Sequence, residues 1–217
     1  MNRNRIPDWL VKYIGLLVLV LLFLAYFPLN NLREPIHSLE LTVDDRIPLL
    51  PPFVSPYLSL YVLLLVSLWR FLKAETRIFT IAALAIGIDL AISYLVFLFY
   101  QTQVERPMIL GSDVSSSILR AVYSLDKPFN AFPSLHTSLS TLLALLWGRV
   151  GSRAQPAIAL WALLIIASTL FTKQHYIADV GGGVAVALIS YFGATRFSAF
   201  AEGRVGGRCP FRRNRSR

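Results

Sequence analysis

His175 and Asp179 stand four residues apart in "KQHYIADVGGG" (residues 173–183), a spacing that puts both side chains on one face of a helix, one turn apart. A carboxylate placed there can hold one imidazole nitrogen as a donor, fix the tautomer and leave the other nitrogen free as nucleophile or base. The same spacing equally describes an interfacial histidine solvated by an acid. Earlier in the chain, "FNAFPSLHTS" (residues 129–138) sets Ser134 and His136 at the head of an apolar run. Pro133 suits the start of a helix. The unsatisfied N–H groups of a first turn, with the positive end of the helix dipole, make an anion site. A second imidazole beside such a site can protonate a leaving oxygen; the plainer alternative is a serine cap followed by a polar interfacial residue.

Arg106 in "QVERPMI" can offer a planar, two-pronged fork to a phosphate, or can be a snorkelling interfacial residue. Lys173 adds a cation two residues before His175. Joined, these elements make a phosphoryl-transfer site that needs no metal. Such a reaction requires in-line positioning and neutralisation of the charge on the equatorial oxygens. Arg106, Lys173, Ser134 and the N–H groups near Leu135 and His136 would neutralise them. His175 would attack phosphorus and carry the phosphoryl group, with Asp179 orienting it and His136 protonating the departing oxygen. Asp44 and Asp45, in "TVDDRIPLLPPFVSPY", can cap, form ion pairs or support the site directly.

The elements that position these residues belong in a bilayer. The chain of 217 residues is 55% hydrophobic and 15% charged, against about a quarter charged in soluble domains. Continuous apolar runs rather than alternation point to helices, and about twenty apolar residues are needed per crossing. The expected fold is all-α, a bundle of six transmembrane helices at 10–29, 53–71, 78–100, 133–150, 155–172 and 176–197. The fifth, with its apolar core from Ala157 to Phe171, is the shortest. The first is not followed by a small-residue cleavage site and is read as a helix, not a signal peptide.

With the N-terminus inside, fifteen of the 21 Lys and Arg fall on the inner side and six on the outer. Without the C-terminal segment the balance is eight to six, which still sets both termini inside and both histidine motifs outside. One membrane domain is expected over 1–200 and a disordered basic cytoplasmic tail over 201–217. The net charge of +9 is thus assigned to an anionic inner leaflet rather than to nucleic acid. Cys209, the single cysteine, excludes disulfides within the chain and a cysteine metal site. No metal or cofactor is expected, and oligomeric state is open. Trp9, Trp69, Trp147 and Tyr100 suit an interfacial aromatic belt.

Asp89 lies inside the third span, in "AIGIDLAISY", roughly 17 Å below the outer end at helical rise. That depth favours a structural, hydrogen-bonded acid over contact with the phosphate, with proton or lipid-tail contact as the other option. The Gly181–Gly183 run weakens an isolated helix but allows close helix approach in lipid. A small transporter would spread ionisable groups through the bilayer depth, whereas here all but Asp89 gather at one surface. A silent lipid-binding scaffold is the remaining alternative.

Arg106 with Pro107, then Pro133-Ser134-Leu135-His136, then His175 and Asp179, in a six-span chain, resemble the type 2 phosphatidic acid phosphatase superfamily. Its three motifs have the outline K-x6-R-P, P-S-G-H and S-R-x5-H-x3-D. The resemblance covers nearly the whole membrane domain in order and spacing, and implies a six-helix bundle with its site at the outer leaflet and the roles given above. The family's first lysine falls at Phe99, the glycine of P-S-G-H at Leu135 and an expected arginine at Thr169; Lys173 would replace one lost charge. "PSLH" with "KQHYIADV" is closer to the branch holding inositol phosphorylceramide and sphingomyelin synthases. The phosphohistidine can be discharged by water, as in a lipid phosphatase, or by an alcohol, as in a head-group transferase. Compact outer loops favour water. The expected partners are a lipid phosphate and membrane lipids, in a bacterial inner membrane with the site on the periplasmic side. Phosphatidic acid, phosphatidylglycerophosphate and polyprenyl diphosphate are not distinguished.

Overall fold

Pro28 breaks the first apolar run. Its ring displaces the carbonyl of the residue four before it and it offers no N–H; the first helix accordingly stops at Leu24, and a single short turn follows. In the computed structural model, which describes residues 6–31 and 36–206 with side chains to residue 201, the helices are α1 (Asp8–Leu24), α2 (Tyr26–Leu29), α3 (Val54–Leu72), α4 (Thr76–Phe99), α5 (Val114–Leu125), α6 (Leu135–Arg149), α7 (Gln155–Phe171) and α8 (Ile177–Gly206). No strand forms among the described residues. Two isolated bridges, His37 with Thr102 and Gln103 with Phe129, tie the outer segments together. Arg3, Arg5, Arg33, Cys209 and the rest of the expected tail from 207 onward lie outside the described residues. α8 continues as helix into the start of that tail.

Four helical segments are long and apolar enough to cross a membrane: Asp8–Leu29, Pro51–Leu72, Thr76–Phe99 and Ile177–Ala201. This fits an integral membrane protein. α7 is apolar but has 17 residues, and α6 has 15, both shorter than the lengths expected for the fourth and fifth spans. α5, inside the long 101–132 segment, was not among the expected helices. Asp113 caps it by accepting from Ser116 N at 3.1 Å, and its 12 residues are too few to cross.

α4 is the central helix, packed against α8, α1, α6 and α3, while α6 also packs on α7 and α8. Phe71, Phe79, Ile86, Leu90, Phe97, Leu142, Leu143 and Ile165 are among the side chains closed off in the middle. Because lipid tails are as apolar as leucine, helix association rests on fit and on polar ties rather than on water exclusion. Those ties are present: Trp147 Nε1 donates to Ser67 Oγ and Trp161 Nε1 to Ser59 Oγ, both at 2.8 Å. Gly15 lets α1 close on the Phe79 ring, which a Cβ there would meet at 2.8 Å.

The C-terminal ends of α4 and α7 and the N-terminal ends of α6 and α8 fall together at one end of the molecule. Asp89 on α4 accepts from Ser138 Oγ of α6 at 2.8 Å, and Ser138 N in turn donates to Ser134 O. Asp89 therefore sits about one helical turn, roughly 6 Å, below the start of α6. The depth expected from sequence measured it against the end of α4; α6 begins well below that end, so the acid lies much nearer the histidine motifs than its place in α4 suggests.

Candidate active site

α7 ends in a turn that aims the next residues back across the helix ends. Lys173 N donates to Leu170 O and Gln174 N to Thr169 O, with Lys173 in the left-handed region at φ 51°. This is the two-bond C-terminal motif in which glycine usually takes that position; here lysine does, and its Nζ donates to Asp44 O at 2.7 Å.

α8 then starts under two carboxylates. Asp179 Oδ2 accepts from Tyr176 N at 2.8 Å, the reach-back half of a capping box, and Asp44 Oδ1 accepts from Ile177 N at 2.9 Å. Asp44 is thus a buried structural cap. Asp45 is exposed.

His175 Nδ1 is 3.0 Å from Ala131 O and 3.6 Å from Asp179 Oδ2. A carbonyl oxygen only accepts, so Nδ1 carries the hydrogen and Nε2 keeps its lone pair. The expected Asp179–His175 pairing is present, but the shorter contact orienting the ring is the Ala131 carbonyl. His175 remains 10% exposed against 1% for Asp179, so the imidazole can be reached from outside while its acid cannot.

α6 begins with Ser134 as N-cap, its side chain accepting from Thr137 N at 3.3 Å. Pro133 stands before the cap, while Leu135 and His136 occupy the first two helical positions, so the backbone N–H groups expected to face an anion belong to the free first turn. Ser134 N donates to Asp179 O at 3.1 Å, which fixes the start of α6 to the first turn of α8. Glycines permit this approach: a Cβ on Gly183 would lie 2.6 Å from Ser134 O, and one on Gly182 2.3 Å from the Phe132 ring.

His136 and His175 face each other with ring centroids 6.3 Å apart. Tyr57 stacks on His136 at 4.0 Å and Tyr61 meets it edge-on at 6.3 Å. His136 Nε2 is buried without a partner. Among the described residues, therefore, the structure brings His136, His175, Asp179, Ser134 and Leu135 together, with Asp89 a turn beneath.

Arg106 is present but occupied. Nη1 donates to Tyr123 O at 3.2 Å and to Asp126 O at 2.6 Å, so it closes the carbonyl end of α5. Nη2 donates to Gln174 Oε1 and, at 3.4 Å, to Lys127 O, and the guanidinium lies over the Tyr123 ring at 4.7 Å. Tyr123 is itself fixed by donating to Thr172 O at 2.7 Å; burial pushes its phenol up to about 12, so it stays a donor. The open fork expected for a phosphate is thus turned to carbonyls and to Gln174.

Two residues escaped the sequence reading. Gln174 is buried, with Oε1 on Arg106 and Nε2 without a partner. Asp126 accepts from Tyr26 OH at 3.0 Å and Asn30 Nδ2 at 2.7 Å. Burial pushes its carboxyl above the usual range, although the Tyr26 hydrogen bond and the nearby Arg106 guanidinium act the other way. Only the proximity of Asp126 to Lys127 and Gln174 to His175 hinted at either. At the surface, a hollow of about 260 Å³ sets Glu40, Asp45 and Glu105 against Arg106 and Lys173.

Among the described residues, two histidines stand over a helix N-terminus in a helical chain with membrane-length segments, an arrangement whose backbone N–H groups can meet an anion. The family model described as PAP2 superfamily matches residues 34–193, and the chain belongs to that superfamily, whose members are phosphatases or phosphotransferases. No curated protein and no solved structure matches the chain. The matched stretch contains both histidine motifs and Arg106, and leaves out α1.

Proposed function

We propose that the protein is an integral membrane enzyme that moves a phosphate-bearing group from a lipid phosphate ester through a covalent intermediate on His175, without a metal. The observation that carries this reading is the pair of imidazoles 6.3 Å apart, one with its Nε2 lone pair set free by an Nδ1 acceptor, the other on the first turn of α6. Nε2 of His175 attacks phosphorus and His136 protonates the departing oxygen. The N–H groups of Leu135 and His136, with Ser134, meet the developing charge. Asp179 and the Ala131 carbonyl hold the nucleophile's ring, and Asp89 braces α6 through Ser138.

Water as acceptor makes the protein a lipid-phosphate phosphatase. A second reading, transfer to an alcohol as in the inositol phosphorylceramide and sphingomyelin synthases, is supported by one feature: Leu135 stands where the P-S-G-H outline has glycine, and "PSLH" with "KQHYIADV" resembles that branch. Six spans, with α6 and α7 crossing as short helices and the site facing the periplasm of a bacterial inner membrane, complete the proposal.

Release of lipid alcohol from a panel of lipid phosphates by detergent-purified protein, with EDTA present, tests it. His175→Ala is expected to abolish turnover, and His136→Ala to lower it by about 10²- to 10⁴-fold. Loss of activity in EDTA, or full activity in His175→Ala, would refute the reading.

A further inference from the structure

At about 100° per residue, the side chains of α5 fall on three faces rather than two. Leu119, Val122 and Tyr123 share one face, which closes on Val54, Leu58 and Ile109 in a small apolar cluster of its own. Ser117, Arg120 and Ser124 share a second, exposed face, tied within itself where Arg120 Nη2 donates to Ser117 Oγ at 3.0 Å. The third face holds Val114, Ile118, Ala121 and Leu125, spaced four, three and four residues apart and so within about 60° of one another around the helix. Among the described residues nothing covers this stripe. Val114 is 75% and Leu125 86% exposed, against 0% for Leu119 on the packed face.

A surface helix in water buries its apolar side and leaves polar groups outside, so an apolar stripe left open beside a packed apolar face calls for a partner. The depth of α5 indicates which. α5 packs on the turn Pro51–Phe53 and on the start of α3, and Pro51 opens a segment, Pro51–Leu72, long and apolar enough to cross a membrane. Leu50 N donates to Phe171 O at 2.8 Å, which sets that turn at the end of α7, the same end of the molecule as His136 and His175. α5 thus stands level with the first turns of a span, where hydrocarbon gives way to head groups. The strand of chain leading to it is apolar as well: Ile109 enters the cluster while Met108 and Leu110 on either side are exposed.

We propose that Val114, Ile118, Ala121 and Leu125 dock into the bilayer itself. α5 lies in the membrane plane, its stripe in the acyl-chain edge of the leaflet at the histidine end of the molecule and its Ser117–Arg120–Ser124 face toward head groups and water. A stripe with four-three-four spacing also suits a second helix, but area argues against a second copy of the chain. A strip about 18 Å long and about 10 Å wide, roughly 200 Å², is far below the about 800 Å² that each partner of a stable pair buries. The leaflet also lies against the stripe without any further association. Seated there, α5 links the bilayer surface to the site: Arg106 donates to Tyr123 O and Asp126 O at the end of α5 and to Gln174 Oε1, the neighbour of His175. This docking requires a membrane-embedded chain and is independent of the histidine chemistry.

Fluorescence quenching in vesicles tests it. In a full chain carrying Cys209→Ser, single cysteines are placed on the stripe (Val114→Cys, Ile118→Cys, Leu125→Cys) and on the polar face (Ser117→Cys, Ser124→Cys). Each is labelled with an environment-sensitive fluorophore and reconstituted into vesicles of phosphatidylcholine and phosphatidylglycerol. Phosphatidylcholine bearing a nitroxide high on its acyl chain should quench the stripe positions at least about twofold more than the serine positions, and iodide supplied on both sides of the vesicle should reverse that order. Iodide quenching as strong on the stripe as on the serine face would place the stripe in water and overturn the proposal. Quenching of the stripe by neither agent would overturn it too, by showing a protein surface, such as a second copy, over those side chains.

Discussion

Single residues here carry more than one task. Asp179 caps α8 through Tyr176 N and stands 3.6 Å from His175 Nδ1 with the same oxygen, so its place four residues after the histidine serves the backbone and, in the proposed function, the nucleophile as well. The i, i+4 pair was legible because helix geometry alone brings those side chains together. The capping role was not legible, since it depends on the chain turning sharply before Ile177. Arg106 shows the opposite limit: its fork suits phosphate by type, yet which acceptors it meets is a tertiary fact set by α5. Asp126 was invisible for the same reason.

Because burial raises the Asp126 carboxyl, its neutral form is favoured in the folded chain. Its stabilising contribution is present at low pH and lost as pH rises through the folded value. Asp126→Asn keeps an oxygen for Tyr26 and Asn30 while removing the charge. Its Tm should exceed that of the native chain at about pH 8 and the gap should close near about pH 4. A gap independent of pH would contradict this.

At the scale of elements, the start of α6 is held by α8 rather than by its own length. Ser134 N on Asp179 O and the bare surface of Gly183 bring the two first turns together. The glycine run was read from sequence as a means of close approach, and the structure divides its labour: Gly182 and Gly183 are packed, while nothing lies within 4 Å of a Cβ on Gly181. Gly183→Ala should therefore drive α8 from α6 and sharply reduce turnover. Gly181→Ala should leave turnover intact and, by helix propensity, add about 0.5–1 kcal/mol of stability. Thermal unfolding and kcat measured on both variants check this, and equal effects would refute it. α5 was missed although Asp113 before an apolar pattern at residues 114, 118, 119 and 122 was available; a 12-residue helix inside a segment read only as loop is hidden by the search for spans.

For the whole molecule, apolar run length identified the membrane character, and four helices satisfy it by themselves. α6 and α7 fall short because α6 starts only at its Ser134 cap and α7 ends in the turn at Lys173. The proposed orientation makes the lone cysteine useful. Cys209 should react with an impermeant maleimide only after cells are permeabilised, whereas Cys209→Ser carrying Glu105→Cys should react in intact spheroplasts; the reverse pattern would invert the topology. The proposed function comes down to one bond, from Nε2 of His175 to phosphorus. The direct test is rapid mixing of the purified protein with lipid phosphate esters, an alkaline quench that preserves phosphoramidates, and peptide mass spectrometry. The account predicts a phosphate-bearing adduct on His175 that forms and decays within turnover. Turnover with no adduct on His175, or with the adduct on another residue, would contradict it.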